Sequence, residues 1–340
     1  MPNPPNAPVR LKDIARDLNV SVMTVSKVVR GCADVGEETR TRVLARVKEL
    51  NYQPNWVARS LAARRTFMFG LIVPDLMHSF FAEISKSLAA KVRPSGYDVV
   101  ICNSEENAEL ETAEVERLLG RQIDGLVLAS AQLSSSSAVF ERLEARGVPY
   151  VLIDRRFQHL EASYVGSDDQ EIGRIATAHL IERGCRRIAH LAAEDRLPGI
   201  GRLAGYRGAL SAAGLAYREE FVAHATDDAT GYEATRKLLA LDARPDAVFG
   251  YNDPTAAGAM KAILEAGLRI PQDIKVIGVG NVHYSDLLRV PLSTIDQNSN
   301  TIGEHAADIL LKAVGSKRKR GAKSVIVEPR LMARESTASA

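Results

Sequence analysis

The chain has few cysteines, and what it lacks removes several classes of protein at once. Among its 340 residues are three cysteines, Cys32, Cys102 and Cys185. They are odd in number, widely separated and without the spacing of metal ligands, so they read as reduced packing residues rather than a disulfide framework or a metal site. No apolar run approaches the roughly 18 to 20 residues that span a bilayer, which argues against a membrane partner. The first eight residues are polar and proline-rich and lack the basic region and apolar stretch of a secretory signal, so the expected location is the cytoplasm. Phosphate-cradling glycine loops, nucleophile elbows and metal motifs are also missing, which speaks against an enzyme and against any cofactor.

What is present is an ordinary globular composition, 46% hydrophobic and 25% charged, at a length that predicts two or three compact units. The net charge of +2 conceals an asymmetry. Residues 1–65 hold twelve Lys and Arg against six Asp and Glu, a segment of +6 that leaves −4 for the remainder. A compact basic head on a mildly acidic body points to a polyanionic partner for the head alone.

Within the head, Leu11, Ile14, Ala15 and Leu18 recur at helical spacing. Asn19, a residue that tolerates the left-handed conformation, then precedes Ser21, a good N-cap. A second short helix over 22–30 turns Val25 and Val28 inward and leaves Val22, Met23, Ser26, Lys27 and Arg30 outside. A third, over 37–50, places Val43, Val47 and Leu50 on one face and closes a three-helix core over 9–54. Residues 55–63 favour helix but are too few to form one alone in water.

From residue 67 the pattern changes to strands alternating with helices. Apolar strands are expected at 69–73, 97–102, 125–129, 150–153, 187–191, 247–250 and 275–279. Helical stretches separate them, such as 81–92, 108–119, 172–182, 201–213, 232–241 and 255–266. That alternation predicts an α/β body of doubly wound parallel sheets with helices on both faces. Ligands of such sheets bind beyond the carboxyl ends of the strands. The rule selects Asp75, Asp154, Arg155, Asn252, Asp253 and Gln297 as the rim of one crevice.

Several of these runs carry a resemblance. Leu11-Lys12-Asp13-Ile14-Ala15, Val20-Ser21, Thr24-Val25-Ser26 and the stretch from Asn51-Tyr52-Gln53-Pro54-Asn55 to Ala58-Arg59-Ser60-Leu61 resemble, in order and spacing, the helix-turn-helix head of the LacI/GalR family of transcriptional regulators. Residues 67–335 are similar to that family's core and, more distantly, to periplasmic sugar-binding proteins. The resemblance implies a homodimeric regulator, most simply a repressor, that binds a near-palindromic double-stranded DNA operator and answers to a small-molecule, sugar-like effector. It places Lys12, Ser21, Val22, Met23, Thr24, Ser26, Lys27 and Arg30 at the DNA, with Val22 and Met23 as base readers against thymine methyl groups. It makes 55–65 a hinge, with Asn55, Ala58, Arg59 and a minor-groove wedge, Leu61.

In the body the resemblance assigns Phe80 and Phe81 to the face of a sugar ring, and Asp154, Arg155, Arg202, Asn252 and Gln297 to its hydroxyls. It implies two lobes, 66–165 with 297–321 and 166–293 with 322–340, joined by crossovers near 165–167, 292–297 and 321–324. Two positions depart from the family. Gly280-Asn281 stands where an Asp commonly grips the ligand, and His78 stands where sugar binders often carry Asn. Either the effector is a sugar held with Asn281 or His78 substituting, or it is not a simple sugar. A solute-binding protein would share the body but would need a secretory signal and have no use for the basic head. A sugar-acting enzyme would use Asp154, Asp253 or His78 as acid or base. Induction and co-repression are equally compatible with the sequence.

Overall fold

A computed structural model describes residues 9–29, 31–32, 34–52, 60, 63, 65–132, 138–157, 159–316 and 321–339. The chain divides into two units, with the boundary between Thr66 and Phe67.

The head unit holds α1 (Leu11–Leu18), α2 (Val22–Val29) and α3 (Glu37–Glu49). Asn19 ends α1 in the left-handed region, φ 52° and ψ 46°, where Asn bears the strain better than most residues. The Ser21 hydroxyl then accepts the Thr24 amide at 3.0 Å and satisfies one of the free donors at the start of α2. Ile14, Ala15, Val25, Val28 and Val43 form the core, with Val47, Leu50 and Tyr52 packed against it. Gly36 precedes α3 without a side-chain cap. Arg46 instead ties α3 to α1 through Asp17, 2.5 Å from Nη2 to Oδ2.

The body contains β1 (Met68–Val73), α4 (Ser79–Val92), β2 (Asp98–Asn103), α5 (Ala108–Gly120), β3 (Gly125–Leu128), α6 (Ala138–Ala145), β4 (Tyr150–Ile153), β5 (Ser163–Ser167), α7 (Asp169–Glu182) and β6 (Ile188–Ala192). There follow α8 (Leu197–Ala212), β7 (Val222–His224), α9 (Asp228–Leu239), β8 (Ala247–Gly250), α10 (Asp253–Glu265), β9 (Lys275–Val279), β10 (Ser293–Asp296), α11 (Ser299–Gly315), β11 (Ser324–Val327) and β12 (Arg330–Met332). The strands form two six-stranded sheets, ordered β11-β5-β4-β3-β1-β2 and β12-β10-β9-β8-β6-β7. All pairings are parallel except β10 with β12.

Alternate residues of each strand face opposite sides, so each sheet carries two cores. In the first sheet, Phe69, Leu71 and Val73 pack with Ile84, Leu88 and Ile302, while Ile72, Leu126 and Leu128 pack with Leu118 and Phe140. In the second, Phe249, Ile277 and Ile295 meet Ile172, Leu180 and Tyr206, and Leu191, Val248 and Val276 meet Leu238 and Ile263. Helices α7 and α8 approach backbone to backbone. A Cβ at Gly173 would lie 2.1 Å from the Arg202 carbonyl oxygen, and one at Gly205 2.0 Å from that of Gln170. This close contact brings Arg202 on α8 to Asp169, the first residue of α7.

One expected boundary is wrong. Residues 322–340 are expected in the second lobe, but β11 extends the first sheet, Val325 opposite Val165 in parallel register. The last passage between sheets therefore falls between Val327 and Arg330, not at 321–324. The apolar segment Ser324–Val327 takes the free edge of β5, a pairing no local sequence pattern reveals.

Candidate functional site

On the head, α2 buries Val25 and Val28 and exposes Val22 and Met23, which are 46% and 67% accessible. This exposed pair lies outside the head's own core of Ile14, Ala15, Val25, Val28 and Val43. Lys12 and Ser21 are exposed, Thr24 and Ser26 half-buried. Lys27, expected outside the helical core, is half-buried. Its ammonium meets Asp34 at 2.5 Å, an exposed pair worth about 0–1 kcal/mol that a phosphate would readily displace. Arg30, Asn55, Ala58, Arg59 and Leu61 lie outside the described residues.

In the body, the carboxyl ends of strands from both sheets converge on one cavity of about 310 Å³. From the first sheet, Asp75 follows β1, Asn103 ends β2, Glu105 and Glu106 follow it, and Asp154 and Arg155 follow β4. From the second, Arg196 follows β6, Thr226 and Asp227 follow β7, Tyr251 and Asn252 follow β8, and Gln297 follows β10. His78, Phe80 and Phe81 come from the start of α4, and Arg202 from α8.

The N-terminus of α4 shapes one wall. His78 is its N-cap, accepting the Phe80 amide at Nδ1, 3.3 Å away. That bond leaves the ring proton on Nε2. Burial lowers the His78 pKa to about 4, so the ring is neutral at pH 7. Phe80 and Phe81 stand edge to face beside it, ring centres 5.1 Å apart at 72°, the arrangement aromatic pairs favour.

The charged residues form two clusters. Arg155 makes a fork with Glu106, at 2.6 and 2.7 Å, and gives a third bond to the Ser130 carbonyl at 3.0 Å. The peptide unit that carries this carbonyl is held by Glu111, a fully buried side chain that accepts the Ser130 hydroxyl at 2.8 Å and the Ala131 amide at 2.5 Å. Arg202 donates to Asp169 at 3.0 Å and to the Tyr251 carbonyl at 2.7 Å, its guanidinium 4.8 Å from the Tyr251 ring centre. Burial pushes Asp169 up to about 7 even with Arg202 opposing it. Burial likewise raises Asp154, which Arg155 partly offsets. Asp154 has φ 62°, a conformation that costs about 1–3 kcal/mol and gathers at functional sites.

Of the eleven effector residues expected from sequence, nine line this cavity and two do not. Asp253 is fully buried and accepts the Val282 amide at 2.9 Å, the Ser285 hydroxyl at 2.8 Å and the Thr294 hydroxyl at 2.6 Å. It is an interior tie, since a buried carboxylate needs such donors. Asn281 is engaged elsewhere, accepting from Arg334 at 2.7 Å, so it does not replace the family's missing carboxylate. Asn252 caps α10 through the Thr255 amide at 2.9 Å while its amide group gives one bond to the Thr226 carbonyl, 3.2 Å. Asp75 holds the Met77 amide at 2.8 Å and does not cap α4.

Sequence reasoning missed Asn103, Glu105, Glu106, Arg196, Thr226, Asp227 and Tyr251. The strand-end rule, applied to the expected strand at 97–102, would have found the first three. Thr226 and Asp227 follow a three-residue strand too short to read as one. Asn103 Oδ1 and Arg155 Nε are buried without hydrogen-bond partners, which marks the wall between β2 and β4 as unsatisfied.

Comparison with known proteins fits both parts. Residues 10–55 match the family described as bacterial regulatory proteins, lacI family, and residues 177–337 match a periplasmic binding protein-like domain. The chain is 36% identical over 331 residues to the HTH-type transcriptional repressor PurR of Pectobacterium carotovorum, covering 96% of each. It is 34% identical over 332 residues to that of Histophilus somni, 96% of this chain and 98% of the other. A solved structure of the lac repressor dimer bound to operator and the anti-inducer ONPF superposes with a TM-score of 0.83 at 27% identity, 97% of this chain and 99% of that one. The transcriptional regulator CelR–cellobiose complex gives 0.73 at 30%, with 96% and 99% covered. A chain similar to these repressors from its helix-turn-helix to the end of its two-sheet core belongs to the LacI family of DNA-binding transcriptional regulators, which bind operators and small-molecule effectors.

Proposed function

We propose that this regulator works as a homodimer, that its effector is a sugar-like molecule, and that this effector occupies the cavity between the two sheets. The carrying observation is that Phe80, Phe81, His78, Asp154, Arg155, Arg202, Asn252, Gln297 and Asp75, scattered over more than 200 positions, line one cavity of about 310 Å³. That volume stands at the lower end of the range for small-molecule sites, about 300–1,000 Å³, which suits a monosaccharide. The Phe80-Phe81 wall offers an apolar face for a sugar ring. Asp154 accepts hydroxyl protons, and Nε2 of His78 and the amides of Asn252 and Gln297 supply donors.

On DNA, Val22 and Met23 read base edges and Lys12, Ser21, Thr24, Ser26, Lys27 and Arg30 hold the backbone around them. One helix-turn-helix reads a few base pairs, so two heads on a near-palindromic site supply the specificity, and 55–65, with Asn55, Ala58, Arg59 and Leu61, serves as the hinge. Effector binding changes operator affinity by its difference in affinity between two arrangements of the lobes.

A thermal-shift screen of the full chain against neutral sugars tests the reading. A cognate ligand at a hundred times its Kd adds about 2.7 kcal/mol of stability. The shift should vanish in Phe80→Ala. Sedimentation should give twice the chain mass, and a monomer at working concentration rejects the dimer.

A further inference from the structure

The cations of the cavity are organised around Glu106. This residue follows β2 on the first sheet with φ 55°. One oxygen accepts Arg155 Nη2 at 2.6 Å and forms an ion pair with Arg196 Nη1 at 2.9 Å, and the other accepts Arg155 Nη1 at 2.7 Å. Arg155 follows β4 of the same sheet, whereas Arg196 precedes α8 on the second. Among the described residues, Glu106–Arg196 is the ion pair that crosses from one sheet's lobe to the other's. The third guanidinium, Arg202, is taken by Asp169 and the Tyr251 carbonyl. Every guanidinium lining the cavity is thus committed to a carboxylate. The charge left over is negative: among the described residues Asp75 and Glu105 form no ion pair, and the nearest guanidinium nitrogen to Asp154 is Arg155 Nε at 3.6 Å.

Resting on the reading of this cleft as the effector site, we infer that Glu106 sets the charge class of the effector: by neutralising Arg155 and Arg196 together it restricts the cavity to uncharged, hydroxyl-rich ligands and shuts out phosphorylated or carboxylated ones. An anion entering the cavity would meet Glu105 and Asp75 while, among the described residues, every lining guanidinium is already paired, in surroundings where charges interact more strongly than in water. Removing the Glu106 charge reverses this. Arg155 and Arg196 then keep two guanidinium charges no longer neutralised at one position, a pair suited to phosphate.

The test uses the full chain and Glu106→Gln, which preserves side-chain length. Thermal unfolding is followed against inorganic phosphate and against ribose 5-phosphate, with chloride holding ionic strength constant so that effects common to the basic head cancel. The parent midpoint should not move, whereas that of Glu106→Gln should rise by several degrees, and adding Arg155→Gln should abolish the rise. A folded Glu106→Gln that ignores both anions overturns the assignment. If Glu106→Gln does not fold, the parent decides alone. Indifference to both anions supports the assignment, and stabilisation by either that is lost in Arg196→Ala overturns it. Neither titration needs the effector, so a failed screen of neutral sugars would strike the effector-site reading and leave the anion result standing.

Discussion

The Asp253 carboxylate accepts the Thr294 hydroxyl at 2.6 Å, and that bond turns it away from the cavity that its neighbour Asn252 lines. Two adjacent polar residues at the end of one strand have separate duties. Asn252 is on the rim, and Asp253 ties α10 to the loop after β9 and to β10.

Replacing Asp253 should therefore cost stability rather than ligand affinity. Asp253→Ala orphans three buried donors and should lower the unfolding free energy of the body by about 3 kcal/mol or more. Denaturant unfolding of the body checks the magnitude. An unchanged midpoint would show that the three bonds contribute nothing.

Gly280 has φ 127°, in the region that side chains rarely adopt. A Cβ there would meet Val282 at an ordinary 3.5 Å, so the obstacle is backbone strain rather than space. Gly280→Ala should cost about 1–3 kcal/mol. Gly280→Asp should cost more, because its Cβ lies 3.8 Å from the Asp253 carboxylate and adds a like charge. Stability of both variants at pH 7 relative to the parent is the measurement, and a stabilised Gly280→Asp would contradict the strain.

His190 supplies a pH dependence. It is fully buried, bonded to the Phe249 carbonyl at 3.0 Å through Nδ1 and unpartnered at Nε2, and burial lowers its pKa to about 4. The unfolded chain takes up this proton below about pH 6.5 and the folded chain below about 4. Its contribution is complete above pH 6.5 and is lost as pH falls toward 4, up to about 3 kcal/mol. His190→Phe, stacked on Phe249 as the imidazole is at 4.3 Å, should lose less stability over that window. Parallel pH-stability curves for parent and variant would refute this.

Met23, 67% exposed on α2, should govern operator preference. Met23→Ala should weaken discrimination at one base pair of each half-site by ~1 kcal/mol, roughly fivefold. Selection from randomised duplexes reads the change, and an identical preferred sequence would remove Met23 from the base readers.

Much of this was legible in the sequence because local patterns sufficed. The head followed from Ile14, Val25, Val28 and Val43 at helical spacing around an Asn19 turn. The sheets followed from apolar runs such as 69–73, and the crevice from what comes after them. What stayed hidden depended on contacts distant in sequence. Whether Asn252 or Asp253 faces the cavity turns on Thr294, Ser285 and Val282. The placement of Asn281 turns on Arg334, and the sheet that receives Ser324–Val327 turns on β5. Glu106 and Arg196 are in loops with no periodicity, and their ion pair exists only because the two sheets meet.

The central claim is that operator binding by the head answers to the occupant of the body's cavity. Its most direct test is the affinity of the full chain for its selected operator, titrated with the sugar that raises its melting midpoint, in the parent and in Phe80→Ala. We predict a change of about tenfold or more in the parent, in either direction, equivalent to about 1.4 kcal/mol of coupling, and none in Phe80→Ala. An operator affinity indifferent to a ligand that demonstrably binds the cavity would contradict the account.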